Sequence, residues 1–125
     1  MKKVITQELL KGVCEYQSID KFDLIKIHGF HVTQLYKTGT LVSINKIAVA
    51  WFHYQDSFLG AFYIKKELRG HGLGKKVIYD MFKPEETVGI FMDENPQFWK
   101  SVSSEYEEDG FGYGISKIKI NKYVK

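Results

Sequence analysis

At 125 residues, with 44% apolar and 15% aromatic side chains, the chain can bury a core as one folded domain, and a composition this rich in rings excludes intrinsic disorder. Its 18 basic and 15 acidic residues are interspersed and leave a formal charge of +3, less than a nucleic-acid platform carries. Cys14 is the single cysteine, which excludes an internal disulfide and points to a reducing, cytoplasmic setting.

From the start of the chain, Val4-Ile5-Thr6-Gln7-Glu8 interrupts any apolar run after Met1-Lys2-Lys3, so no secretory leader is expected. The longest strongly apolar stretch, Ile47 to Phe52, falls far short of the roughly 20 residues that span a bilayer. Residues 4–12 predict a short helix closed by Gly12, and Ser18 or Asp20 can cap a second around Phe22, Leu24, Ile25 and His28. From Phe30 the pattern turns to β-branched and aromatic residues, broken at Lys37-Thr38-Gly39, Asn45-Lys46 and Tyr54-Gln55-Asp56-Ser57. This predicts an antiparallel meander with strands near 31–36, 40–44, 47–54 and 58–65. The last is apolar on both faces and should be central.

Val77, Ile78, Met81 and Phe82 then recur with helical spacing as far as the Pro84 stop. Thr87 to Met92 predicts a buried strand parallel to the central one. Pro96 opens a predicted helix through Phe98, Trp99, Val102 and Tyr106 to Gly110, with Phe98 and Trp99 chiefly docking it. The last predicted strand runs from Gly112 to about Tyr123, and the alternation of Lys117 and Lys119, with Lys122 and Lys125 beyond, reads as a solvated edge. With no repeat and no linker, residues 1–125 read as a single α+β domain.

The chemically informative segment is Ile64-Lys65-Lys66-Glu67-Leu68-Arg69-Gly70-His71-Gly72-Leu73-Gly74-Lys75, which leaves a buried strand and starts a helix through three glycines. Such a loop exposes backbone N–H groups to an anion, and the helix N-terminus adds uncapped donors. A Walker loop fails on spacing, because Lys76 follows Gly74-Lys75 and Arg69 stands where the first glycine belongs. The dinucleotide fingerprint fails too, since Lys75 occupies the place of its last glycine.

Arg69, Gly72 and Gly74 after a strand resemble motif A of the GNAT acetyltransferases, Arg/Gln-x-x-Gly-x-Gly/Ala. Downstream, Tyr106-Glu107-Glu108-Asp109-Gly110-Phe111 is similar to the Tyr-Glu-x-x-Gly-Phe end of that family's motif B. Asn95 precedes it by eleven residues, about one helical turn more than the family shows, so either the helix is extended or Asn95 is not equivalent. The resemblance covers roughly residues 40–125. It implies an acyl-CoA N-acyltransferase fold: a central, mostly antiparallel twisted sheet, one parallel pair at a V-shaped cofactor opening between the strands ending at Ile64 and Met92, and helices on both faces.

By the same resemblance, acetyl-CoA is the co-substrate and no metal is needed. Its pantetheine arm would lie on backbone groups of Phe62 and Ile64, and its pyrophosphate on the amides of Arg69, Gly70, His71, Gly72, Leu73 and Gly74. Lys75 or Lys76 would stand near the nucleotide phosphates, and Asn95 is a further candidate contact. A primary amine on a small molecule or protein would attack the thioester directly. Tyr106 would protonate the departing thiolate. The base is open between His53, Asp93, Glu94 and a water chain, because Ser57 to Ile64 holds no carboxylate. For His71 a solvent-facing spacer is the simplest reading, and packing competes evenly with catalysis at Tyr106. The alternative is a non-catalytic module of the same fold that binds CoA or a protein partner, and a homodimer is one option for assembly. A nucleic-acid partner is not expected.

Overall fold

The computed structural model of the chain describes residues 2–30, 32, 36–90, 95–108 and 115–121, residues 2–6 by their backbone alone. It is a mixed α+β fold built on a seven-stranded sheet. In chain order the elements are α1 (Lys2–Lys11), β1 (Cys14–Asp20), α2 (Lys21–His28), β2 (Thr38–Ile44), β3 (Ile47–Gln55), β4 (Phe58–Ile64), a 3₁₀ turn at Lys66–Leu68, α3 (Leu73–Met81), β5 (Thr87–Ile90), α4 (Pro96–Ser101), β6 (Ser103–Glu108) and β7 (Ile115–Ile120). The hydrogen-bonded strand order is β1-β2-β3-β4-β5-β7-β6; β4 pairs parallel with β5, and β1–β2, β2–β3, β5–β7 and β7–β6 pair antiparallel. Contacts divide the chain into two compact units, residues 1–53 with 62–77 and residues 54–61 with 78–125.

In the first unit β1 pairs with β2 over its whole length, from Cys14↔Ile44 to Asp20↔Thr38. No strand was expected here, because Glu15, Gln17, Ser18 and Asp20 interrupt any apolar pattern; as an outermost strand, β1 is largely exposed and needs none. Between β1 and β2, α2 is capped as expected: the Asp20 carboxylate accepts from Asp23 N–H at 2.7 Å, and Gly29 closes the helix in the left-handed region at φ 68°. The strand expected at 31–36 is not seen at Val32 or Tyr36, which lie in neither helix nor strand; His31 and residues 33–35 lie outside the described residues.

Strands β2 and β3 meet through Asn45-Lys46, at φ 51° and 65°. Two successive positive values are the signature of a type I′ turn, whose twist matches that of the strands. The register slips by one between Val42 and Ser43, from Ser43↔Ala48 to Val42↔Ala50. Trp51 is fully buried and lies against Gly39; among the described residues its Nε1 has no hydrogen-bond partner.

In the second unit Asp56-Ser57 forms another turn of this kind, with φ 54° and 61°. The parallel contact is short, Phe58↔Gly89 and Leu59↔Ile90, and Gly89 N–H donates to Ser57 O at 2.9 Å. Gly89 must be small, since a Cβ there would come within 2.9 Å of the Phe58 ring. The expected opening cannot be followed on the β5 side, because Met92 lies outside the described residues.

Two expectations are corrected in this unit. The helix predicted from Pro96 to Gly110 ends at Ser101, and Tyr106 lies in strand β6. Ser101 Oγ donates to the Phe98 carbonyl and Ser103 Oγ to that of Trp99, so serines compete for carbonyls a continuing helix would use. Beyond them Glu105 and Glu107 fall directly opposite Lys119 and Lys117. Opposite charges facing across a ladder favour strand pairing there. The second correction concerns those lysines: β7 is not an edge but lies between β5 and β6, and the outer strand on this side is β6. Gly110 and Phe111, with Lys122, Tyr123 and Lys125, lie outside the described residues.

Candidate functional site

Strand β4 ends at Ile64, and Lys65 N–H donates to Val49 O at 2.9 Å, which fixes the loop's point of departure beside β3. The 3₁₀ turn follows, closed by Leu68 N–H to Lys65 O at 2.8 Å. The Arg69 side chain then folds back, its Nε donating to Ile64 O at 2.9 Å. This arginine therefore ties the loop to the end of its own strand, and its remaining guanidinium donors stay at the exposed surface.

Gly70 and Gly72 take φ of 83° and 88°, values that residues with a Cβ rarely adopt. A Cβ at Gly70 would meet nothing within 4 Å, and at Gly72 only Leu10 Cδ2 at 3.8 Å, so space stands open over the loop. The glycines are thus required by dihedral angle rather than crowding. Gly74 lies in the first turn of α3, and Leu73 is buried at 1% exposure, pinning the start of that helix. The first helical bond is Lys76 N–H to Gly72 O at 3.2 Å.

The N–H groups of Gly70, His71, Gly72, Leu73, Gly74 and Lys75 consequently have no hydrogen-bond partner among the described residues. They form a run of free donors at the positive end of a helix. Lys65, Lys66, Arg69, Lys75 and Lys76 stand along the same segment against a single acid, Glu67. An anion with several oxygens fits this loop. Phe62 and Ile64, on β4 just before it, are half-buried, and His71 is exposed.

Tyr106 and Asn95 belong to the second unit. Tyr106 faces Ile118 across the β6–β7 ladder, is 43% exposed, and carries Lys100 Nζ 5.3 Å from its ring centroid. Asn95 stands immediately before α4 but its side chain makes no capping bond. Of the three side chains weighed as bases, Asp93 and Glu94 lie outside the described residues.

His53 is half-buried on β3. Its Nδ1 lies 3.0 Å from the Thr38 carbonyl oxygen, and its ring stacks on that of Tyr36 at 3.9 Å between centroids and 18° between planes. In the sequence Thr38 reads only as part of the Lys37-Thr38-Gly39 break and Tyr36 only as the end of a predicted strand; the turn at Asn45-Lys46 gives the hairpin's register, but the slip at Val42/Ser43 then displaces every pair towards His53. Among the described residues no group of three or more His, Cys, Asp or Glu side chains is placed to hold a metal, and no helix is long and apolar enough to cross a membrane.

Comparison with models of protein families, with curated proteins and with solved structures found no match.

Proposed function

We propose that the chain is an acyl-CoA-dependent N-acetyltransferase of the GNAT type, working in the cytoplasm on a primary amine of a small molecule or protein. The observation that carries this reading is the row of six amides from Gly70 to Lys75 that have no partner among the described residues, with Gly70 and Gly72 at positive φ. A loop of this kind suits the pyrophosphate of CoA. The parallel pairing of β4 with β5, Phe58↔Gly89 and Leu59↔Ile90, adds support, because the resemblance implies one parallel pair in an otherwise antiparallel sheet.

In this mechanism the amides of residues 70–75 and the cations beside them hold the phosphates, and backbone groups of Phe62 and Ile64 hold the pantetheine arm. The neutral amine attacks the thioester carbonyl, a C–N bond forms, and the C–S bond breaks. The departing thiolate takes a proton. Tyr106 keeps its candidacy as that proton's source on the chemistry of its phenol, although it now stands on a strand rather than a helix.

A non-catalytic module that binds CoA is the second reading, favoured by the absence of any carboxylate from Phe58 to Ile64 and by the half-exposed position of Tyr106. One set of measurements separates them. Calorimetry should show acetyl-CoA binding that Gly72→Asp abolishes, since a carboxylate would face the diphosphate. Thiol release with a panel of amines should accompany it and slow in Tyr106→Phe. Binding without thiol release selects the module, and no binding at all removes both.

A further inference from the structure

We infer that His53 is the base that takes the proton from the acceptor ammonium, with Thr38 and Tyr36 as its positioning groups; this rests on the acetyltransferase reading above. A carbonyl oxygen can only accept, so the contact between His53 Nδ1 and Thr38 O at 3.0 Å requires that Nδ1 carry the hydrogen. In the neutral ring the lone pair then resides on Nε2. Tyr36, stacked at 3.9 Å, holds the plane of the imidazole. Two independent contacts therefore fix which nitrogen is basic and how the ring is turned, as a proton acceptor requires.

Position along the sheet agrees. The Lys65 N–H to Val49 O bond sets Val49 beside the end of β4 from which the glycine loop departs. His53 stands on the same strand, roughly 13 Å away at about 3.3 Å per residue. An arm held on Phe62 and Ile64 and leading back from the loop carries its thioester in that direction. His53 contacts the Tyr36 ring and the Thr38 carbonyl, and among the described residues no charged side chain forms an ion pair or hydrogen bond with it.

The balance is simple. His53 Nε2 accepts one proton from R–NH₃⁺, and the amine attacks the thioester carbon. As the amide forms, Tyr106 gives its proton to the leaving sulfur, making CoA–SH, and the nitrogen's second surplus proton restores the phenol. The imidazolium returns its proton to solvent, so one acetyl-CoA and one ammonium yield one amide, one thiol and one released proton.

The test compares wild type, His53→Gln and His53→Ala with acetyl-CoA and with spermidine, lysine and a lysine-containing peptide as acceptors. His53→Gln keeps an N–H for the Thr38 carbonyl but has no basic nitrogen. Thiol release in it should fall by roughly 10²- to 10⁴-fold, the usual contribution of a positioned base, and the acid limb of kcat/KM against pH should disappear. Calorimetric affinity for acetyl-CoA should stay unchanged in both variants. Added imidazole should restore part of the rate to His53→Ala, which a purely structural role would not allow. An unaltered rate and pH profile in His53→Gln overturns the role of His53 while leaving the acetyltransferase standing. Wild-type protein that binds no acetyl-CoA, or acetylates none of these acceptors, overturns the inference together with the reading beneath it.

Discussion

A methyl group added at Gly39 would overlap Cε2 and Cζ2 of Trp51 and lie 2.6 Å from the Phe52 carbonyl oxygen. Neither neighbour can yield, one being a fully buried indole and the other main chain. Gly39→Ala is therefore expected to destabilise the protein by about 1–3 kcal/mol, the range for overpacking a filled core, and to change the Trp51 emission spectrum. At Gly70 the same substitution meets empty space and suffers only from φ of 83°. Its expected effect is about 1–2 kcal/mol from the dihedral angle alone, with tryptophan emission unchanged and acetyl-CoA affinity reduced as the loop relaxes. Chemical denaturation with fluorescence detection reads both. Equal losses with equal spectral changes would mean that the indole does not rest on Gly39.

At the level of the element, β6 stakes most on its charges. Every residue from Ser104 to Glu108 is exposed, so the strand gains little by burial and relies on its ladder with β7. A double-mutant cycle between Glu105→Gln and Lys119→Gln should give a coupling of about 0.2–1 kcal/mol, the range for cross-strand pairs, shrinking as salt is raised. A helix at this place would give none. The same pair explains why the element was misread from sequence. Phe98, Trp99, Val102 and Tyr106 have helical spacing, yet Glu-Tyr-Glu at 105–107 and Lys-Ile-Lys at 117–119 have the period of two, and only the pairing of distant segments reveals that they answer each other. Strand β1 escaped for the related reason that an outer, wet strand has no apolar face to announce it. The meander β2–β4, by contrast, was legible in advance because its turns carry their own signals, and so was α2, whose cap sits at Asp20.

For the molecule as a whole, the proposed function makes the glycine loop the place where ligand and fold are coupled. Acetyl-CoA that binds only the folded chain should stabilise it by about 2.7 kcal/mol at a concentration one hundred times Kd. Tm should rise with ligand in wild type and stay fixed in Gly72→Asp. Hydrogen exchange at Gly70–Lys75 should be fast in the free protein, whose amides there have no partner among the described residues, and slow on addition of the ligand. The loop could be read from sequence because a glycine run between strand and helix has few uses. The setting of His53 could not, since it depends on a strand register that a single bulge alters.

The two tight turns have a kinetic corollary. Asn45-Lys46 and Asp56-Ser57 join their strands through the shortest of loops, so zipping β2, β3 and β4 together closes little chain and can proceed early. Strand β7 must instead arrive between β5 and β6, with β5 ending at Ile90 and β7 beginning only at Ile115. In pulse-labelled refolding, protection should therefore appear first across the meander and last at Ile118, the residue on which the far side of the sheet converges.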